Sequence, residues 1–211
     1  MLGRLWRTVW GWFKGKPAKP QFVVTTRDRM TAEELIKRYE AGQRDFRNLD
    51  LAGIHFGEVD LSHCTFSESD LRDAQLTQAR LDGANFSRAD LSHAVLTHAY
   101  LHQVNFAKAL LDGANLQSSD LTGANFKGAS LEGCNLSHAD LQDSNLCEAD
   151  LSHANLAWAD LSRTNLSGAQ LIQTNLSRAD LDHTNLHDAV QRGVQFEGAR
   201  LPRGGSLAKQ G

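Results

Sequence analysis

A leucine or phenylalanine stands at every fifth position through most of this 211-residue chain. The stretch 137–166 reads SHADLQDSNLCEADLSHANLAWADLSRTNL and has leucine as every fifth residue. An α-helix turns about 100° per residue, so steps of five would scatter these leucines around its axis. A strand alternates its side chains, so the same steps would send them to opposite faces. The chain must therefore bend at each unit to collect its leucines in one core, which predicts a solenoid.

The other positions of the five-residue unit fit a bend. Two residues before each apolar centre the chain carries mostly alanine, and directly before the centre it carries mostly asparagine or aspartate. The centres run from Phe46 to Leu186, are interrupted at Gln191 and resume at Phe196 and Leu201. A small second inward residue lets successive turns pack closely.

This A(D/N)LXX pattern resembles the pentapeptide-repeat family over residues 44–201. The resemblance implies an all-β fold, a right-handed quadrilateral parallel β-helix with four repeats and twenty residues per coil. The chain has 32 units, which predicts about eight coils and, at ~4.8 Å per coil, a rod ~40 Å long. Phenylalanines spaced by twenty predict a stacked core column, formed by Phe46, Phe66, Phe86, Phe106 and Phe126.

The residues before the centres sort into ladders with the same spacing. One asparagine ladder is Asn85, Asn105, Asn125, Asn145, Asn165 and Asn185, and the second is Asn115, Asn135, Asn155 and Asn175. We expect these amides to bond to corner backbone and to one another. Asp50, Asp70 and Asp90 form part of a further ladder.

A separate aspartate ladder is the candidate acidic interaction face, formed by Asp120, Asp140, Asp160 and Asp180. Two charges ~4.8 Å apart repel by about 0.9 kcal/mol in water and about 3.5 kcal/mol at an effective dielectric of 20. The ladder is therefore either a solvated wall or a surface that binds something basic. Below, these four residues are called the acidic ladder.

The two ends of the rod need covers, because exposed strand edges invite association. Thr31 with Glu34 forms a capping-box pattern, and Leu35, Ile36 and Tyr39 form an apolar stripe. We therefore predict a capping helix in segment 31–43, over the first coil. Segment 17–30 is predicted to be a linker in which QFVV at 21–24 suits a short strand, and segment 202–211 is predicted to be disordered. The C-terminal end either closes loosely or meets a second copy in a two-fold homodimer.

Segment 1–16, MLGRLWRTVWGWFKGK, is predicted to form an amphipathic leader helix. Its candidate membrane-interface residues are Leu2, Leu5, Trp6, Val9, Trp10, Trp12 and Phe13 on one arc, with Arg4, Arg7 and Lys14 opposite. Such a helix suits the surface of an anionic membrane and is too short to span one. The alternatives are that it docks on the rod or on a partner protein, or that it is simply a disordered start of the chain.

Charge is distributed unevenly along the chain. Residues 1–44 carry ten basic and four acidic residues, a net +6, whereas residues 45–201 carry ten and twenty-one, a net −11. The acidic body argues against direct nucleic-acid binding. Cys64 and Cys134 occupy small-residue positions, so we expect reduced structural thiols and a cytoplasmic protein, peripheral on the inner face of a membrane.

No pattern in the sequence indicates catalysis. No two of the nine histidines are twenty residues apart, so no metal site is expected. Nucleophile-elbow, phosphate-loop and C-x-x-C motifs are missing, and no insertion interrupts the repeats to build a pocket. We therefore expect neither an enzyme nor a cofactor.

These observations predict a non-enzymatic interaction or scaffold rod, held at a membrane surface, with an unknown protein partner. Four outward positions are candidate anchors: Val95, Tyr100, Leu110 and Trp158. The family resemblance implies an alternative, because some members resemble B-form DNA, bind the type II topoisomerase gyrase and give fluoroquinolone resistance. The acidic body fits this alternative, although the projecting loops of the Gram-negative resistance proteins are missing.

Overall fold

A computed structural model describes residues 27–202 of the chain. Its regular elements are the short strand β1 (Asp28–Arg29), the helix α1 (Ala32–Glu40) and the strands β2 (Leu49–Asp50), β3 (Gln170–Ile172) and β4 (Val190–Arg192). Two parallel pairs form, β1 with β2 and β3 with β4. The leader at 1–16 and most of the C-terminal tail lie outside the described residues.

The body is a ladder of parallel bridges between residues twenty apart, from Asp45 paired with Thr65 to Asp180 paired with Arg200. Each bridge uses two backbone hydrogen bonds. The Phe66 N–H donates to the Asn85 carbonyl at 2.7 Å, and the Asn85 N–H donates to the Cys64 carbonyl at 2.9 Å. The chain therefore completes one turn every twenty residues.

The repeat centres fill the interior. Their leucines and phenylalanines are almost fully buried between Phe46 and Leu181, together with the alanines two residues earlier. The five phenylalanines spaced by twenty form one stack, with ring centroids 5.1–5.7 Å apart and planes within 21° of parallel. Leu146 and Leu166 continue this column as fully buried residues.

A left-handed residue makes each corner. Two residues after the centre the backbone takes positive φ, and this holds for His63 (φ 60°), Trp158 (φ 64°) and many other non-glycine residues. This conformation costs a non-glycine residue roughly 1–2 kcal/mol. The sequence analysis did not predict this left-handed conformation, because glycine occupies only some of the corner positions.

Two corner glycines also make room for a neighbouring side chain, because a histidine of the preceding coil lies over each of them. A Cβ on Gly83 would lie 2.6 Å from Nδ1 of His63, and one on Gly113 would lie 2.7 Å from Nδ1 of His93. Gly133 has the same positive φ and nothing within 4 Å of its hypothetical Cβ. It is therefore a matched control.

We predict that Gly83→Ala destabilises the rod more than Gly133→Ala. Both changes carry the left-handed penalty of ~1 kcal/mol, and Gly83→Ala costs a further ~0.5–1 kcal/mol because the His63 ring must rotate away. Urea unfolding of the two variants measures the difference. Adding His63→Ala to Gly83→Ala should remove the excess, and equal losses in the two single variants would contradict the contact.

Helix α1 covers the first coil. Its N-cap Thr31 accepts the Glu34 N–H at 3.2 Å, and Leu35 is completely buried in the core that contains Phe46. The Arg44 guanidinium lies 3.7 Å from the centre of the Tyr39 ring. In a capping box the Glu34 carboxylate would accept the backbone N–H of Thr31. In the structure it instead accepts Nε of Arg38 at 2.8 Å.

The two ends differ. At the front, the strand that pairs with the first coil is β1 at 28–29, while QFVV at 21–24 lies outside the described residues. At the back, Val190 and Leu201 are exposed and Phe196 is only partly buried. Within residues 27–202 no helix is long and apolar enough to cross a bilayer.

Candidate interaction surface

The asparagine ladders serve the corners. The Asn85 Oδ1 accepts the Ser87 N–H at 3.0 Å and also accepts Nδ2 of Asn105, one coil later, at 3.2 Å. The second ladder repeats both bonds, as at Asn115, which accepts from Gln117 and Asn135. Each amide is thus occupied by backbone and by its neighbour, so these ladders are structural.

The acidic ladder makes the same corner bond with one carboxylate oxygen. The Oδ1 of each aspartate accepts the backbone N–H two residues later at 2.9–3.0 Å. The second oxygen of Asp180 binds Arg200 at 2.9 Å. Among residues 27–202, no Lys or Arg nitrogen lies within 4.0 Å of an Asp120, Asp140 or Asp160 carboxylate. The Oδ2 of Asp140 accepts Nε2 of Gln142 at 3.2 Å. Within the described rod, three half-buried carboxylates in a row therefore have no basic side chain within 4.0 Å.

Trp158 stands beside this ladder, two residues before Asp160, and is 51% exposed. The His138 ring, one coil earlier, stacks on it at 6.0 Å and 9°, and the Arg178 guanidinium, one coil later, lies 4.6 Å from the ring centre. Both ring faces are thus occupied, and the indole edge remains open to a partner.

The other expected anchors differ in exposure. Tyr100 is 52% exposed and lies one coil before Asp120 in the same ladder. The Arg80 guanidinium lies 5.8 Å from the centre of its ring. Val95 is half-buried. Leu110 is only 9% exposed, so its prediction as an outward anchor was wrong; it is bridged between Asp90 and Ser130 in a close-packed column.

Asp70, in a different ladder, is paired with two arginines, unlike Asp120, Asp140 and Asp160. Asp70 is 7% exposed, its Oδ1 accepts Nε of Arg72 at 2.8 Å, and Arg27 lies 3.8 Å away. Burial alone would raise the pKa of Asp70, but the hydrogen bonds from Arg72 and the charges of Arg72 and Arg27 outweigh it and lower that pKa. Arg72 also lies 3.9 Å from Asp90.

We predict that Arg72→Ala lowers the free energy of unfolding by about 2 kcal/mol at pH 7, because it leaves a largely buried carboxylate with one weaker partner. The folded pKa of Asp70 is depressed, so the stabilisation is present above the unfolded value of about 3.9 and is lost as pH falls through the folded pKa. Urea unfolding at pH 7, 5 and 3 should therefore show the loss shrinking below about pH 4.

The matched control is Arg163→Ala, which removes an exposed ion pair with Asp143. Its cost should stay below about 1 kcal/mol, since exposed pairs contribute little. If both variants lost the same stability at pH 7, the buried pair would have no special role.

Two of the three cysteines are buried, and the described residues contain no cluster of metal ligands. Cys64, Cys134 and Cys147 are free thiols, and burial raises the pKa of Cys64 to about 11 and that of Cys134 further. These two buried thiols therefore stay protonated. Residues 27–202 contain no group of three or more His, Cys, Asp or Glu side chains able to hold a metal ion.

The family model described as pentapeptide repeats matches eight copies, over residues 45–74, 69–106, 89–128, 99–137, 129–168 and 164–202. The chain belongs to the pentapeptide-repeat family. Proteins of this family form right-handed quadrilateral β-helices, and they are generally structural or interaction proteins rather than enzymes.

Several solved structures are similar. HetL, a pentapeptide-repeat protein involved in the regulation of heterocyst differentiation in the cyanobacterium Nostoc sp. strain PCC 7120, is 26% identical over 83% of this chain and 99% of its own, with a TM-score of 0.32. A thylakoid-lumen protein from Arabidopsis thaliana is 30% identical over 47% and 69%, with a TM-score of 0.46. QnrB1, a plasmid-mediated fluoroquinolone resistance protein, is 22% identical over 74% and 81%, with a TM-score of 0.47. These TM-scores are low, so the likenesses say nothing about function.

The sequence has no significant match among curated proteins.

Proposed function

We propose that this protein is a non-enzymatic interaction rod whose acidic ladder binds a basic segment of a protein partner. The observation that carries the proposal is the row of Asp120, Asp140 and Asp160 beside the open edge of Trp158, with no basic side chain within 4.0 Å in the described rod. A cationic segment lying along this row would relieve repulsion between neighbouring carboxylates. Trp158 would supply the aromatic contact that protein interfaces favour.

The chain starting at Gln21 offers a direct test, because Trp158 is its one tryptophan. We expect an Arg/Ser peptide of about twelve residues to change the Trp158 fluorescence at low salt and to lose affinity as salt rises. Changing Asp120, Asp140 and Asp160 together to Asn should weaken this binding about tenfold or more, while Asp143→Asn, at an aspartate already paired with Arg163, should not. Equal affinity in both variants would overturn the role of the acidic ladder.

The proposal also places the rod at the cytoplasmic face of a membrane through its leader. Support comes from the leader sequence, with three tryptophans and five Lys/Arg but no acidic residue among residues 1–20. An acidic body is repelled by anionic lipids, so attachment would depend on this segment. The apolar arc would enter the interface and the basic residues would meet lipid headgroups.

Flotation with anionic vesicles separates these contributions. We expect the full chain to float at low salt and the chain starting at Gln21 to stay in solution. Changing Trp6, Trp10 and Trp12 to Ser tests the apolar arc, and changing Arg4, Arg7 and Lys14 to Gln tests the charges. A full chain that stays in solution at low salt would overturn the membrane attachment and leave the acidic-ladder test unaffected.

The second candidate is a gyrase-binding protein of the fluoroquinolone-resistance type. The observation that favours it is the acidity of the described rod, with fifteen basic and twenty-five acidic residues over 27–202. A DNA-supercoiling assay with gyrase distinguishes the two candidates. Inhibition by both the full chain and the chain starting at Gln21, lost in the triple Asp→Asn variant, would establish this second candidate.

A further inference from the structure

One side of the rod is covered along its middle coils. Leu110 is buried there, yet it does not belong to the contiguous core of buried side chains. Tyr100 and Val190, at the same position of the repeat, are exposed. The column neighbours of Leu110 are Asp90 and Ser130, which are both smaller than leucine and leave its outer end uncovered. The cover of Leu110 therefore lies outside the coils.

Two serines on the same side share this burial. Ser130 is buried, and Ser152 is only 1% exposed although its position in the repeat faces outward. At the equivalent position the Ser92 hydroxyl donates to Asp90 at 2.6 Å, whereas the Ser152 hydroxyl has no hydrogen-bond partner within the described residues and only the Ser152 N–H binds Asp150. A hydroxyl that is closed to water and turned away from its usual acceptor indicates a further polar group that lies over it.

The charged residues of this region are acidic. Asp112, Glu132 and Asp150 are half-buried side chains on successive coils. The Oδ1 of Asp112 accepts both the Ser130 hydroxyl and the Glu132 N–H, so the carboxylates and the serines form one surface. An occupant of this surface must offer apolar groups to the leucine and cationic groups to the carboxylates. Below, the covered strip means Leu110, Asp112, Ser130, Glu132, Asp150 and Ser152.

The described chain begins on the same side of the rod. Asp50, Asp70 and Leu110 belong to one bridged column. Arg29 pairs with Asp50 through β1 and β2, and the Arg27 guanidinium lies 3.8 Å from the Asp70 carboxylate on the second coil. Residue 27 therefore stands only two coils from Leu110 along this column, at ~4.8 Å per coil.

We propose that the leader, residues 1–16, docks on the covered strip, with its apolar side chains over Leu110 and its basic side chains against the three carboxylates. The leader contains three tryptophans and four Lys/Arg and has no acidic residue. Residues 17–26 connect it to Arg27 and span up to ~33 Å when extended, which exceeds the ~19 Å of four coils between Asp70 and Asp150.

The other end of the chain is a poorer occupant. Residues 203–211 contain two basic residues and one leucine. They follow Arg200, which pairs with Asp180 in the acidic ladder, half a coil away from the column of Leu110. The acidic ladder and the covered strip therefore lie on opposite sides of the rod, and the C-terminal segment starts on the side away from the strip.

Docking would set the leader between two surfaces, a consequence that rests on the membrane attachment proposed above. The same apolar side chains cannot contact Leu110 and enter a lipid interface at once. A membrane would therefore have to displace the leader from the covered strip, and weakening the strip should increase vesicle binding.

Acrylamide quenching of the leader tryptophans tests docking in the full chain without lipid. Trp158→Phe leaves Trp6, Trp10 and Trp12 as the only tryptophans. We expect their quenching at low salt to be about threefold or more weaker than in a peptide of residues 1–20, because docking shields them from the solvent. High salt should raise the quenching, since the carboxylates then hold the leader less tightly.

The decisive comparison is between two triple variants in this Trp158→Phe background. The strip variant carries Asp112→Asn, Glu132→Gln and Asp150→Asn, and its quenching should rise to the level of the peptide. Both asparagines keep the Oδ1 acceptors that bind the Ser130 hydroxyl and the Ser152 N–H, so the coils are preserved. The control changes Asp120, Asp140 and Asp160 to Asn, which removes the same charge from the opposite side and should leave the tryptophans protected.

Two results would overturn the docking: quenching in the unmodified leader as strong as in the peptide, or equal quenching in the two triple variants. Flotation at limiting anionic lipid tests the consequence separately. The strip variant should float about threefold more than the control variant, because its leader is already released. If no variant floated, the membrane attachment would fall while the quenching result would still decide the docking.

Discussion

Phe106→Ala should lower the free energy of unfolding by about 3–5 kcal/mol, the largest loss expected from one substitution in this protein. Phe106 is fully buried at the middle of its column, with ring centroids of Phe86 and Phe126 at 5.3 and 5.1 Å. Truncation removes two stacking contacts and leaves a cavity inside a closed coil. The coil cannot collapse around it, because the ladder bonds on every side fix its perimeter.

A matched control in the same phenylalanine column is Phe126→Leu. Leucine follows naturally at 146 and 166 in the same column, so a leucine at 126 would move the boundary between the two packing types by one coil. We expect a loss below about 1.5 kcal/mol, since the volume change is small. Urea unfolding measures both variants, and a Phe126→Leu loss as large as that of Phe106→Ala would show that ring stacking, rather than volume, dominates the column.

The architecture of the rod was predictable because one rule repeats through it. A leucine at every fifth residue excludes regular helices and strands, and phenylalanines spaced by twenty indicate the length of a turn. Helix α1 was also predictable, since Thr31 is a local signal for its start and Leu35 belongs to its apolar stripe. In each case the signal is a local motif or a regular spacing that can be read from the sequence alone.

The corners and the ion pairs were less predictable. Glycine marks a left-handed corner at Gly83, but His63 and Trp158 adopt the same conformation only because ladder bonds on both sides hold them there. Leu110 is buried although its place in the repeat faces outward. Such outcomes depend on residues twenty positions away, whose contact becomes visible only in the coil.

The candidate site, too, was predictable only in part. The sequence revealed the row of aspartates, but not that Oδ1 of each accepts a backbone N–H at a corner, nor that Oδ2 of Asp180 binds Arg200. It also could not separate the acidic ladder from Asp70, which pairs with Arg72 and Arg27. The difference lies in which arginines reach which carboxylates across coils.

Leu35→Ala should lower the free energy of unfolding by about 2–4 kcal/mol, and the capped end of the rod should unfold first. Leu35 is the fully buried residue of α1 and joins that helix to the core around Phe46. Solenoid stability is carried by contacts between neighbouring units, so loss of the cap should loosen the first coil before the middle. Hydrogen exchange should accelerate in residues 32–56 at urea concentrations where residues 100–140 remain protected.

Lys37→Ala provides the control, because Lys37 is exposed on the same helix and its loss leaves the buried contact intact. We expect it to change stability by less than about 0.5 kcal/mol. The uncovered first coil should also promote association, since its strand edge becomes available to another chain. Light scattering at increasing concentration should therefore show Leu35→Ala forming larger species while Lys37→Ala does not. Identical exchange in residues 32–56 of the two variants would mean that the first coil is stable without its helix.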